Sequence, residues 1–115
     1  MAAKVYQNYI DGEWKDSSSG ETFANINPAN KDEVVGRFQQ STRKDVNEAV
    51  VAAHNALPGW KKMPAPKRGE ILFRVSEILL QRKEALAQDM TREMGKVIKE
   101  ARGDVQEAID MGYFA

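Results

Sequence analysis

With 115 residues, 42% apolar and 30% charged, the chain has the length and composition of one globular domain rather than of a disordered segment. Its 17 basic and 17 acidic residues cancel, which excludes a net field able to hold a polyanion or an anionic membrane face, so no nucleic acid partner is expected. No cysteine is present, which excludes disulfides, thiolate metal ligands and a cysteine nucleophile within these residues.

Residues 1–7 lack the basic start and apolar run of a signal peptide. The longest apolar stretches fall far short of the roughly 20 residues that span a bilayer, so a soluble, cytoplasmic protein with no membrane partner is expected. In chain order, Tyr9-Ile10-Asp11-Gly12-Glu13-Trp14 sets Asp-Gly between two aromatic-containing strand candidates, the strongest short-range hairpin signal, because both turn positions need positive φ. Ser17-Ser18-Ser19-Gly20 reads as a polar loop, Thr22–Ile26 as a short strand, Asn27-Pro28-Ala29-Asn30 as a turn, and residues 33–38 as another strand.

From Ser41 the apolar period changes from two to 3.6. Val46, Ala49, Val50, Ala53 and Leu57 share one face behind a Thr42-x-x-Asp45 capping pattern, and Pro58-Gly59 is expected to end that helix. A second helix starts around Pro64 and Pro66, where proline is tolerated, and is expected to turn Ile71, Leu72, Val75, Ile78 and Leu79 inward before stopping near Arg82. A third, residues 84–94, buries Leu86, Ala87 and Met90 and ends at Gly95, the residue that most easily takes the left-handed cap conformation. The fourth carries Ile98, Ala101, Val105, Ala108, Ile109 and Gly112, and its pattern is still running at Ala115, as though the chain stopped inside a helix. One small sheet cannot cover all these apolar faces, so part of them is expected to meet water in the isolated chain. There is no internal repeat, low-complexity tract or interdomain linker.

The eight glycines stand at 12, 20, 36, 59, 69, 95, 103 and 112, and no two are separated by a single residue, which excludes a G-x-G-x-x-G dinucleotide loop. Gly95-Lys96 is not a phosphate loop either, since Met90 and Val97 stand where a glycine and a hydroxyl are required. Glu100, Asp104 and Glu107 recur at helical spacing, but His54 is the lone histidine, so a bundle-type carboxylate metal site lacks its partners. Lys61, Lys62, Lys67 and Arg68 read as a solvated loop and helix start, with no aromatic platform interleaved. Glu93 sits in the last turn before Gly95, against the negative end of the helix dipole. A bound cation, a salt bridge to Lys96 or Arg92, or plain exposure would each accommodate it.

Taken together and in order, these segments resemble the aldehyde dehydrogenase superfamily across nearly the whole chain. Tyr9-Ile10-Asp11-Gly12-Glu13-Trp14 is similar to the family's opening hairpin. Ile26-Asn27-Pro28-Ala29 with Glu33-Val34-Val35 is similar to its "NP…GEV" segment, and Asp45-Val46-x-x-Ala49-Val50 with Trp60 to its first helix and exit. Arg68 with Ile71-Leu72, then Thr91-Arg92-Glu93-Met94-Gly95-Lys96, Glu100-Ala101, and Asp104-Val105-Gln106-Glu107 before Tyr113-Phe114 complete the series.

The resemblance implies an α/β family fold in which this segment contributes an N-terminal β-hairpin and short strands, residues 1–40, and about four α-helices, residues 41–115. Both would be part of the cofactor-binding domain, truncated within a helix. It implies a longer parent enzyme, a homo-oligomer, that oxidises a small aldehyde to a carboxylic acid with NAD or NADP. In that enzyme a cysteine thiolate attacks the carbonyl, hydride leaves to the nicotinamide, and a glutamate activates water to hydrolyse the thioester. No catalytic or cofactor-binding residue of that set matches a position here, so the segment is scaffold. The resemblance further implies that Glu93, with a backbone carbonyl of Ile26 or Asn25, ligates a structural sodium or potassium ion. It also implies that Glu107 and Met111, one turn apart, border the aldehyde entrance, where an acid would disfavour anionic aldehydes. The competing expectation is a complete small helical binding module, with the second to fourth helices presenting an apolar groove to a partner.

Overall fold

The computed structural model describes residues 3–115. Among these residues, five strands and four helices follow one another as β1 (Val5–Tyr6), β2 (Asn8–Ile10), β3 (Glu13–Lys15), β4 (Thr22–Ile26), β5 (Val34–Gln39), α1 (Arg43–Lys62), α2 (Ala65–Gln81), α3 (Lys83–Met94) and α4 (Ile98–Phe114). They divide between Lys62 and Met63 into two compact units. The change from strand to helix, expected near residue 40, therefore falls inside the first unit, and α1 belongs with the strands.

In the first unit, β2 and β3 form the hairpin, pairing Tyr9 with Trp14 and Ile10 with Glu13. Asp11 and Gly12 take φ of 54° and 79°, the two positive values that this turn demands. Tyr9 and Trp14 face each other across the strands with ring centroids 4.9 Å apart, a cross-strand pair of the kind that stabilises a half-solvated ladder. β4 runs antiparallel to β5, with an irregularity between Asn25 and Ile26. β1, which carries no sequence signal of its own, adds to the other side of β5 in parallel. Its Tyr6 ring stacks on Phe38 at 5.0 Å, and Gly36 leaves the space: an added Cβ would come within 2.7 Å of the Tyr6 ring.

α1 runs through Pro58 to Lys62, so the expected stop at Pro58-Gly59 is corrected. Proline removes one backbone donor from the ladder. The residues after it keep helical geometry and finish with Lys61 and Lys62 in the last turn, where cations complement the dipole.

In the second unit, α4 packs on both α2 and α3 around Ala87, Ala101, Val105 and Ile109, with Leu79, Leu86, Met90 and Ile98 half-buried against them. Small residues at 87 and 101 let the helices approach closely, and burial of Val105 and Ile109 contributes about 1.5–3 kcal/mol each. The inward stripe of α2 is Leu72, Ser76 and Leu79, with Ser76 buried and the two leucines half-buried. Ile71, Val75 and Ile78, expected inward, are more than two-fifths exposed, and Ala108 of α4 is exposed as well. The reason is geometric. α2 carries two adjacent apolar stripes, and only the one centred on Ser76 meets α4. α3 ends as expected on Gly95, which takes a left-handed φ of 78° and donates its N–H to the Thr91 carbonyl.

Candidate functional site

Three clusters carry the polar chemistry of the described residues. The first surrounds Asp45, the buried acid at the start of α1. Its carboxylate accepts from the Thr42 N–H at 2.7 Å, the Ser18 N–H at 2.9 Å, Ser17 Oγ at 3.0 Å and Thr42 Oγ1 at 3.2 Å. The backbone N–H groups of Thr42 and then Ser18 hold its carboxyl well below the usual carboxylate range. Gln39 extends the knot, accepting from the Ser17 N–H at 2.7 Å and donating to the Tyr6 carbonyl at 3.0 Å. The Thr42-x-x-Asp45 pattern signalled the helix cap, but not the grip on Ser17-Ser18 some thirty residues earlier. With its oxygens engaged by the chain's own donors, Asp45 organises loops rather than a ligand.

The second cluster joins α3 to α4. Arg102 donates to both oxygens of Glu84, at 2.7 and 2.8 Å, and this pairing lowers the Glu84 pKa to about 2. Lys83 Nζ donates to Gln106 Oε1 at 2.6 Å, and Lys96 pairs with Asp104. Hydrogen bonding to Asp104 raises the Lys96 pKa. Glu93 lies in the last turn of α3, one residue before the capped end, with Arg92 3.7 Å from Asp89 beside it. Ile26 closes β4 in the first unit, opposite Val34 in the register and just past the irregularity that follows Asn25. Among the described residues no group of three or more His, Cys, Asp or Glu is arranged to hold a metal ion.

The third cluster is the outer face of α4. Glu107 and Met111 come together there with Asp110 and Phe114 around an open hollow of about 320 Å³. Met111 is 62% and Phe114 87% exposed, while Gln106 Nε2 donates to Asp110 Oδ1 at 2.9 Å. A larger groove of about 710 Å³ lies between the hairpin and α1, lined by Lys15, Arg43 and Lys44 but also by Asp11 and Glu48. His54 is exposed on α1. No helix is long and apolar enough to cross a membrane among the described residues.

Sequence reasoning passed over Ser76. It is fully buried at the crossing of α2 and α4, and its Oγ donates to the Ile109 carbonyl at 3.0 Å. The available signal was its place, four residues after Leu72 and three before Leu79, on a face otherwise apolar.

Short strands followed by four helices are the N-terminal portion of an α/β fold. The chain belongs to the aldehyde dehydrogenase family, whose model matches residues 14–115. It is 44% identical over 108 residues to an alpha-ketoglutarate semialdehyde dehydrogenase of Haloferax volcanii, covering 94% of this chain and 22% of that protein. It is also 44% identical over 111 residues to malonate-semialdehyde dehydrogenase 1 of Geobacillus kaustophilus, covering 96% and 22%. Among solved structures, an NAD-dependent aldehyde dehydrogenase from Sinorhizobium meliloti superposes with a TM-score of 0.92 at 33% identity, over 98% of this chain and 23% of that one. A betaine aldehyde dehydrogenase from Staphylococcus aureus in complex with NAD+ gives 0.89 at 30% identity, over 94% and 22%. The chain thus spans less than a quarter of the length of these relatives, in their N-terminal part.

Proposed function

We propose that this segment is scaffold for an NAD(P)-dependent aldehyde dehydrogenase, a cytoplasmic homo-oligomer that oxidises an aldehyde to a carboxylic acid through a cysteine thioester. One observation carries the reading. A family match over residues 14–115 falls on a chain with no cysteine and no dinucleotide loop, at about a fifth of the relatives' length. The residues present do not fit a nicotinamide dinucleotide, so the cofactor's place and the nucleophile lie outside these 115 residues. The 115-residue chain should show only background turnover with an aldehyde panel and either cofactor, while the full-length protein carrying it turns over. Activity of the short chain above the buffer control, surviving repurification, would overturn this assignment.

Two positions extend it. Glu93 serves as a ligand to a monovalent cation in the whole enzyme, supported by an acid placed against the oxygen-rich C-terminal turn of α3. Glu93→Gln should then lower Tm and flatten its dependence on potassium at constant ionic strength. Glu107 and Met111 border the aldehyde's path, where the paired acids Glu107 and Asp110 disfavour anionic substrates. Replacement Glu107→Gln should raise kcat/KM for malonate semialdehyde relative to propanal by roughly fivefold. An unchanged ratio would leave Glu107 a solvated surface acid.

A further inference from the structure

We infer that Ser76 and Gly112 form a keyed contact that sets where α4 presents Glu107 and Met111 to an incoming aldehyde, which makes both of them positioning residues; this rests on the reading of α4 as the border of the substrate path. The contact has two parts. Ser76 Oγ, with no exposure, donates across the helix crossing to the Ile109 carbonyl in the body of α4. Three residues on, Gly112 faces the same oxygen so closely that an added Cβ would overlap Ser76 Oγ. The next neighbours of that Cβ, Ser76 Cβ at 3.5 Å and the Leu72 carbonyl at 3.7 Å, are at ordinary contact distance. The Ser76 hydroxyl, held by its bond to Ile109, is therefore the group that an alanine at 112 would have to displace.

Glycine is a poor helix residue, and at 112 the overlap with Ser76 Oγ supplies a local reason for it. The comparison lies within the same helix, where a Cβ at Gly103 would meet nothing within 4 Å. At 100° per residue, Ile109 lies on the side of the helix roughly opposite Glu107 and Met111, with Gly112 between that side and Met111. The hydrogen bond fixes α4 along and about its axis, and the glycine fixes its distance from α2. A helix is stiff over two turns, so a displacement on the gripped side carries across to the presented side.

The test uses the full-length enzyme, with steady-state kinetics on a bulky aldehyde and on acetaldehyde. Gly112→Ala should raise KM for the bulky aldehyde roughly tenfold while kcat and the acetaldehyde KM stay within about twofold. Ser76→Ala should raise it roughly threefold, and the double variant should return to the level of Ser76→Ala alone, because the overlapping oxygen is gone. Gly103→Ala should behave as wild type. KM unmoved in a folded Gly112→Ala, or a double variant as impaired as Gly112→Ala, overturns the keyed contact. If Gly112→Ala does not fold, an unmoved KM in Ser76→Ala overturns it instead. A wild-type enzyme that oxidises no aldehyde overturns the underlying assignment of function, a result distinct from active variants with unchanged KM.

Discussion

The two units of the chain solve burial in opposite ways. In the first, the buried residues among those described are Ser17, Asn27, Gly36, Gln39 and Asp45, none of them a large apolar side chain. Tyr6, Phe23 and Phe38 stack beside them, still partly in water. In the second, Ala87, Ala101, Val105 and Ile109 are buried and Ser76 is the one buried polar residue among those described. Short strands offer few inward positions, so the first unit is organised by hydrogen bonds to one carboxylate. Three helices offer continuous stripes, so the second is organised by packing. Each should fail through its own weakness, and Trp14 and Trp60, both in the first unit, allow the two to be read apart.

The largest effect is expected in the second unit. Ile109→Ala removes its one large, fully buried apolar side chain among those described and should cost about 3 kcal/mol, transfer and cavity together. Amide-exchange protection along α4 should fall accordingly while the tryptophan emission of the first unit is unchanged. A shared loss in both units would break the comparison.

Next in size is Asp45→Ala, which strands the N–H groups of Thr42 and Ser18 together and leaves the Ser17 loop without its anchor. Tryptophan-detected Tm should drop by roughly 5–10 °C. Because the folded Asp45 pKa is depressed below its ordinary 3.8, its contribution is present above that value and lost as pH falls through the depressed one. Wild type and Asp45→Ala should therefore converge in strong acid, and a constant difference down to pH 2 would contradict the linkage.

The smallest effect belongs to Glu84 and Arg102, each about half exposed. With the Glu84 pKa lowered from 4.5 to about 2, the pair's contribution is present above pH 4.5 and lost between those values. Half a molar sodium chloride should screen it at neutral pH and leave the Asp45 contribution intact. Equal salt sensitivity of the two would show that Asp45 is less shielded than its hydrogen bonds imply.

By itself the sequence determined what depends on neighbouring torsions and on composition. The Asp11-Gly12 turn, the Gly95 cap and the existence of four helices are local, because positive φ, left-handed caps and a 3.6-residue period are written within a few positions. The lack of cysteine and of a G-x-G-x-x-G run is read from composition and spacing in the same local sense. Only the tertiary structure decided which of two apolar stripes on α2 is buried, that β1 joins β5 in parallel, that α1 continues past Pro58, and that Asp45 reaches back to Ser17 and Ser18. These outcomes turn on partners distant in sequence. Ile71 and Val75 are as apolar as Leu72, but the stripe that meets α4 is the one where Ser76 bonds the Ile109 carbonyl and lies against Gly112, a matter of shape that composition does not record.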